Sequence, residues 1–165
     1  MINLEDVKSA ARRVSTYVIK TPLARSQTLS QLLGTNVYLK MELFQKTGSF
    51  KPRGAFNQIL QLDGQARAKG VVAVSGGNFA QGVAYAARQL GIKAVICMPE
   101  YTPSNYVEAT QSYGAIVELS PDFPSTFARA ETFKSEGYAF LHAWDNPNQM
   151  AGNGTIGLEI LETGL

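Results

Sequence analysis

The sequence predicts an α/β protein built on a small four-stranded parallel sheet flanked by helices. Two observations carry that prediction. Four short apolar runs begin at "VVAVS" (71–75), "AVICM" (94–98), "IVEL" (116–119) and "YAFLH" (138–142), each separated from the next by about one strand plus one helix. The segments between them repeat apolar residues at helical spacing and stop at a glycine, which makes a βαβ rhythm with three crossovers.

In chain order, residues 4–14 read as a helix, "NVYLKMEL" (36–43) as a strand and residues 51–62 as a second helix. After the first run of the sheet, Ala80, Val83, Ala84, Ala87 and Leu90 form one helical face closed by Gly91. Thr102 and Pro103 open the next helix, which ends at Gly114; Phe123, Phe127 and Ala130 mark a third, closed by Gly137. Residues 157–161 read as the start of another. Right-handed crossovers set helices over both sheet faces, and the near-continuous apolar strands predict burial on both sides. The flanking pieces supply too few strands to close a second sheet. They therefore call for a partner layer, from a further chain segment or another subunit.

Composition narrows the function classes. The 165 residues are 45% hydrophobic and 17% charged, enough to bury a core. Fifteen basic side chains against thirteen acidic ones leave a formal charge of +2 with no Lys/Arg run, which argues against nucleic acid as a partner. No stretch approaches the roughly 20 apolar residues of a membrane span, so a soluble, cytoplasmic chain is expected. The single Cys97 lies inside "AVICM" and reads as a small core residue that suits a reducing compartment. With one Cys and one His, no zinc constellation is expected, and His142 reads as a strand-end packing residue.

Three stretches bear on chemistry. In "QKTGSFKPRGA" (45–55), Lys51 stands at a helix start, where unpaired backbone N–H groups disfavour a protonated amine. It is either a surface charge or a working nucleophile. "SGGNFAQG" (75–82) follows the first strand of the sheet and opens its first helix, at the edge where ligands collect in open α/β folds. Ser75, the glycine amides and the helix amides suit a carboxylate or phosphate there, although a turn that merely makes room for the helix reads the same way. "GNGTIG" (152–157) fits the dinucleotide pattern letter by letter. Its context argues against that reading, because "AWDNPNQM" is loop-like rather than a strand and the sequence stops before an acidic ribose ligand. The expectation is a tight loop packing closely at a helix start.

Taken together, "KTGSFKPRGA", "SGGNFAQGVAYAARQLGIKAVICMPE", "YGAIVEL" and "AGNGTIGLEIL" resemble, in this order, the serine/threonine dehydratases among the tryptophan-synthase-β-like, fold type II enzymes that use pyridoxal phosphate. The resemblance covers almost the whole chain. It implies that Lys51 is the lysine that links covalently to the cofactor aldehyde, a role that needs a neutral amine. By the same resemblance Phe50 packs on the pyridine ring and Asn78 hydrogen-bonds the ring's 3′ oxygen. Ser75, Gly76, Gly77 and Gln81 form the loop that grips the substrate carboxylate. Read without the resemblance, Phe50 is a core ring, Asn78 a helix cap and Gln81 a solvated first-turn residue.

The implied reaction is deamination of L-threonine or L-serine to a 2-oxo acid and ammonia, with the Lys51 amine removing the α-proton. Gly76 stands where racemising relatives carry a serine, which favours dehydration over racemisation. Phe79 replaces the usual histidine, Tyr106 stands where a lysine is common, and "HAWD" replaces a His-Pro version. The resemblance also implies a division into residues 1–71, the amino-terminal part of a larger cofactor domain; 72–143, the smaller α/β domain; and 144–165, a truncated return into the larger domain. The family's phosphate cup normally lies beyond Leu165, so without a partner segment these 165 residues are not expected to bind the cofactor tightly, to give a saturable, borohydride-fixable absorbance shift with it, or to be active. The expected partners are an amino-acid substrate and either a second copy in a homo-oligomer or a missing carboxy-terminal segment. The competing reading is a catalytically inactive α/β module that binds an amino acid or a sister chain through an uncovered apolar surface.

Overall fold

The Asn3 side chain accepts from the Asp6 amide while the Asp6 carboxylate accepts from the Asn3 amide, a reciprocal cap that starts the first helix, α1 (Leu4–Val14). The computed structural model describes residues 1–164. After α1 come β1 (Leu23–Arg25), α2 (Gln27–Leu33) and β2 (Tyr38–Lys40), with β1 and β2 paired antiparallel, and then a 3₁₀ turn at Glu42–Phe44. Two helices follow, α3 (Lys51–Ile59) and α4 (Gly64–Lys69). The predicted sheet is next: β3 (Val71–Val74), α5 (Asn78–Gln89), β4 (Ala94–Pro99), α6 (Ser104–Ser112), β5 (Ile116–Ser120), α7 (Phe123–Ser135) and β6 (Ala139–Leu141). The helix α8 (Pro147–Leu161) comes last.

All pairings in this sheet are parallel and its order is β5-β4-β3-β6. Successive strands thus step outward from β3 to β5, and β6 then returns to the far side of β3. The chain reverses direction between β3 and β6, which makes the carboxyl ends of those two strands the crevice where open α/β sheets bind ligands.

Alternation along the central strands divides the core in two. Val71, Ala73, Ile96 and Met98 pack with α3 and α5 residues such as Phe56, Val83 and Ala87. Val72, Val74, Val95 and Cys97 face the other way, onto Ala130 and Phe133 of α7 and Tyr138. Burial pushes the Cys97 thiol up to about 11, so it is an inert core residue as expected. Burial on both faces holds for β3 and β4 only. On the edge strand β5, Ile116 and Leu119 are exposed, because a strand with one neighbour keeps an open flank.

The glycine terminators are as expected: Gly91 and Gly114 take left-handed backbones at φ 66° and 86° and end α5 and α6. Three expectations need correction. The strand expected over 36–43 contracts to β2, since the chain turns into the 3₁₀ segment after Met41. β1, α2 and α4 are additional. "GNGTIG" is not a loop: it lies inside α8, which starts ten residues earlier than expected at Pro147, where the Asn146 side chain accepts from the Asn148 and Gln149 amides. The close packing foreseen there is real. A Cβ on Gly152 would stand 2.5 Å from the Arg53 carbonyl oxygen and 2.7 Å from the Gly54 Cα, so the glycine lets α8 lie directly on α3. No helix among the described residues is long and apolar enough to cross a membrane.

Candidate active site

The last pairing of β3 with β4 runs one residue past the strand, where the Ser75 amide donates to the Cys97 carbonyl at 3.1 Å. The chain then turns through Gly76 and Gly77 into α5. Gly77 is the N-cap and has no side chain to offer, so Ser75 does the capping: its Oγ accepts from the Gly77 amide at 3.3 Å and the Ala80 amide at 3.2 Å. Asn78 is therefore not the cap. It is the first helical residue, exposed at the mouth of the turn. Gln81, in the same first turn, is half-buried rather than fully solvated. Beside Gly77 there is open space, whereas a Cβ on Gly76 would meet the Thr102 hydroxyl at 2.7 Å.

Lys51 is the first residue of α3, followed by Pro52, whose missing N–H costs nothing in a first turn. Its Nζ stands 5.0 Å from the centroid of the Phe50 ring and 5.9 Å from that of Phe79. The polar atom it reaches is the Ala143 carbonyl oxygen, at 3.5 Å, in the loop after β6. No carboxylate among the described residues lies within ion-pair distance of it. Burial lowers the amine's pKa below the ordinary lysine value, and no counter-charge opposes that shift. The amine thus sits at the reversal point of the sheet, between α3, the first turn of α5 and the end of β6.

Several contacts fix α3 in this position. The Gln58 side chain pairs with the backbone of His142, accepting from its amide at 3.2 Å and donating to its carbonyl at 3.0 Å. Gly82 of α5 presses on the start of α3, where an added Cβ would lie 3.1 Å from the Lys51 carbonyl carbon. Two residues after Lys51, the fully buried Arg53 donates to Glu42 at 2.8 and 2.9 Å, to Glu159 at 2.6 and 3.0 Å, to Thr155 and to the Ile19 carbonyl. Burial works against the Arg53 charge, but the two carboxylates outweigh it and hold the guanidinium above its ordinary value. For Glu42, burial is likewise outweighed by hydrogen bonds from Arg53 and Thr21, which hold the carboxyl below the usual range. Lys40 adds a second cation to Glu159 at 2.5 Å.

Arg53, Gln58, Gly82 and Thr102 are site-supporting residues that sequence reasoning missed. One signal was present for the first two: Arg53, Asn57 and Gln58 are large polar residues on the buried helix α3. His142 behaves as expected, its Nδ1 accepting from the Asp145 and Trp144 amides to fasten the turn after β6. Among the described residues no group of three or more His, Cys, Asp or Glu is placed to hold a metal.

A partly buried amine without a carboxylate partner, flanked by aromatic rings, is chemically suited to an aldehyde, and the comparison with protein families agrees: residues 14–164 match the family described as pyridoxal-phosphate dependent enzyme. The chain belongs to that family. Pyridoxal phosphate is the family's cofactor, and the surroundings of Lys51 fit it. Among curated relatives, the L-threonine ammonia-lyase of Thermotoga maritima is 48% identical over 164 residues, covering 98% of this chain and 41% of the relative. A catabolic L-threonine dehydratase of Staphylococcus aureus is 45% identical, covering 98% of this chain and 48% of the relative. This chain thus spans about half the length of the relatives it matches. Among solved structures, a threonine deaminase from T.th. superposes with a TM-score of 0.91 at 44% identity, covering 99% of this chain and 52% of that one. Maize serine racemase superposes with a TM-score of 0.94 at 35% identity, covering 98% and 50%. The fold is that of fold type II pyridoxal-phosphate enzymes, with the four-stranded parallel sheet the sequence predicted.

Proposed function

We propose that this chain is the amino-terminal part of an enzyme that deaminates a β-hydroxy amino acid, L-threonine or L-serine, to a 2-oxo acid and ammonia. The observation that carries the reading is the Lys51 amine, partly buried, without a counter-ion and facing the loop after β6. The names of the relatives support the threonine-dehydratase assignment, and the maize serine racemase, named for another reaction on serine, has the same fold.

Pyridoxal phosphate, when bound, supplies the electron sink for the α-carbon. Lys51 would hold the cofactor through its amine and, once the substrate amine has displaced it, would accept the α-proton; burial lowers its pKa, which favours the neutral form that both roles need. The Phe50 ring, beside the Lys51 amine, would support the cofactor ring, and the exposed Asn78 amide would serve its 3′ oxygen. The turn of Ser75, Gly76 and Gly77, with Gln81, orients the substrate by its carboxylate. Ser75 already holds the Gly77 and Ala80 amides, which fixes that turn before ligand arrives.

In this reading residues 72–143 are the smaller domain and the segments 1–71 and 144–165 belong to the larger one. The relatives' greater length supports the view that activity needs a further segment, or a partner that replaces it. A cytoplasmic location accords with a free, reduced Cys97. The test joins this chain to the remaining half of the Thermotoga maritima relative and follows ammonia release from L-threonine and L-serine. The reading expects turnover that Lys51→Ala abolishes. A folded, cofactor-bearing chimera that releases no ammonia overturns it.

A further inference from the structure

The Ser75–Cys97 hydrogen bond locks the carboxyl ends of β3 and β4 in register, so the two loops that follow must pass each other closely. They meet at Gly76 and Thr102. Thr102 is held from both sides: its amide donates to the Pro99 carbonyl at 2.9 Å, and Pro103 restricts its backbone to extended conformations. Its side chain is buried, at 9% exposure, and its Oγ1 has no hydrogen-bond partner. That hydroxyl lies 2.7 Å, and the methyl carbon 3.3 Å, from where a Cβ on residue 76 would stand. Folded proteins leave few buried hydroxyls unpaired, so this one calls for an explanation.

We propose that Thr102 is a positioning residue of the carboxylate grip: it occupies the side-chain space of position 76, makes glycine obligatory there, and holds the 75–77 turn against α5. This rests on the reading of that turn as the substrate-carboxylate site. Rigid backing from the neighbouring loop keeps the turn amides in place without a side chain on the turn itself. A bulkier residue at 76 pushes the turn off Thr102, and a smaller residue at 102 lets it relax.

The test uses the 165-residue chain labelled with ¹⁵N, melting temperature, and L-threonine titrations followed at the Asn78 and Phe79 amides. Gly76→Ala is expected to lower the melting temperature by roughly 2–6 °C. Thr102→Ala is expected to leave melting unchanged and weaken L-threonine binding about fivefold or more, which a merely structural residue would not do. In the double variant, Thr102→Ala removes the obstacle, so melting recovers relative to Gly76→Ala and affinity returns to the Thr102→Ala value. A double variant no more stable than Gly76→Ala, or Thr102→Ala binding within about twofold of wild type, overturns the proposal. No saturable shift in the wild type overturns the carboxylate reading itself and with it the grip. Recovery of melting in the double variant then still shows whether the contact is real.

Discussion

Gly82 of α5 lies so close to Lys51 that a Cβ built on it would stand 3.1 Å from both the carbonyl carbon and the Cβ of the lysine. Because the obstacle is largely backbone, the helix start has to move if position 82 gains volume. Gly82→Leu is therefore expected to destabilise the chain by about 1–3 kcal/mol through overpacking. Urea unfolding measures the loss, and a variant as stable as wild type would contradict the contact.

Arg53 is the charge on which three other segments converge, the loop at Ile19, the 3₁₀ turn and α8. Removing it in Arg53→Ala leaves Glu42 without a cation and Glu159 with Lys40 alone, with only small openings to solvent, at 12% and 14% side-chain exposure. The expected cost is about 3–5 kcal/mol. Arg53→Met, which fills the space but still leaves Glu42 without a cation, is expected to recover little. Full recovery by methionine would show that Arg53 acts through packing rather than charge.

The same network sets an acid dependence. The folded-state pKa of Glu42 lies below its unfolded value, so its stabilisation is present above roughly pH 4.3 and is lost as pH falls through the folded value. Glu42→Gln is expected to lower stability at neutral pH by about 1–3 kcal/mol. That difference from wild type shrinks as acid protonates the native carboxyl. Urea midpoints measured from neutral to acid pH report it, and a gap independent of pH would contradict the assignment.

Two glycines of "GNGTIG" are expected to respond with opposite sign. Gly152→Ala forces a methyl into the Arg53 and Gly54 backbone and is expected to cost about 1–3 kcal/mol despite better helix propensity. Gly157 has nothing within 4 Å of a built Cβ, so Gly157→Ala gains helix propensity, up to about 1 kcal/mol. Thermal melting of the two variants distinguishes helix packing from a ligand loop, in which both changes would be harmful.

What the sequence revealed and what it hid follow from range. The four strands of the parallel sheet and the helices between them were legible because each carries its own periodicity and its own glycine stop. Lys51, Phe50 and the 75–81 turn could be singled out as candidates because their motifs are local. The start of α8 was not, since its polar first turn "PNQM" reads as loop until Asn146 is seen capping it. Gly82, Arg53 and Thr102 were hidden for another reason: each matters through a partner far along the chain, and nothing local in the sequence records that Thr102 fills the space beside Gly76. The edge position of β5 was equally invisible, because its apolar run resembles those of the central strands.

The central claim is that Lys51 carries the amine that combines with the cofactor aldehyde. It is tested most directly by joining the chain to the remaining half of the Thermotoga maritima relative, mixing the chimera with pyridoxal phosphate at neutral pH, reducing with borohydride and locating the added mass by peptide mapping. The account predicts label concentrated on Lys51, whose amine has no counter-ion and is shifted by burial toward its neutral form, and loss of that label in Lys51→Ala. Label distributed over the other lysines with Lys51 unmodified would contradict it.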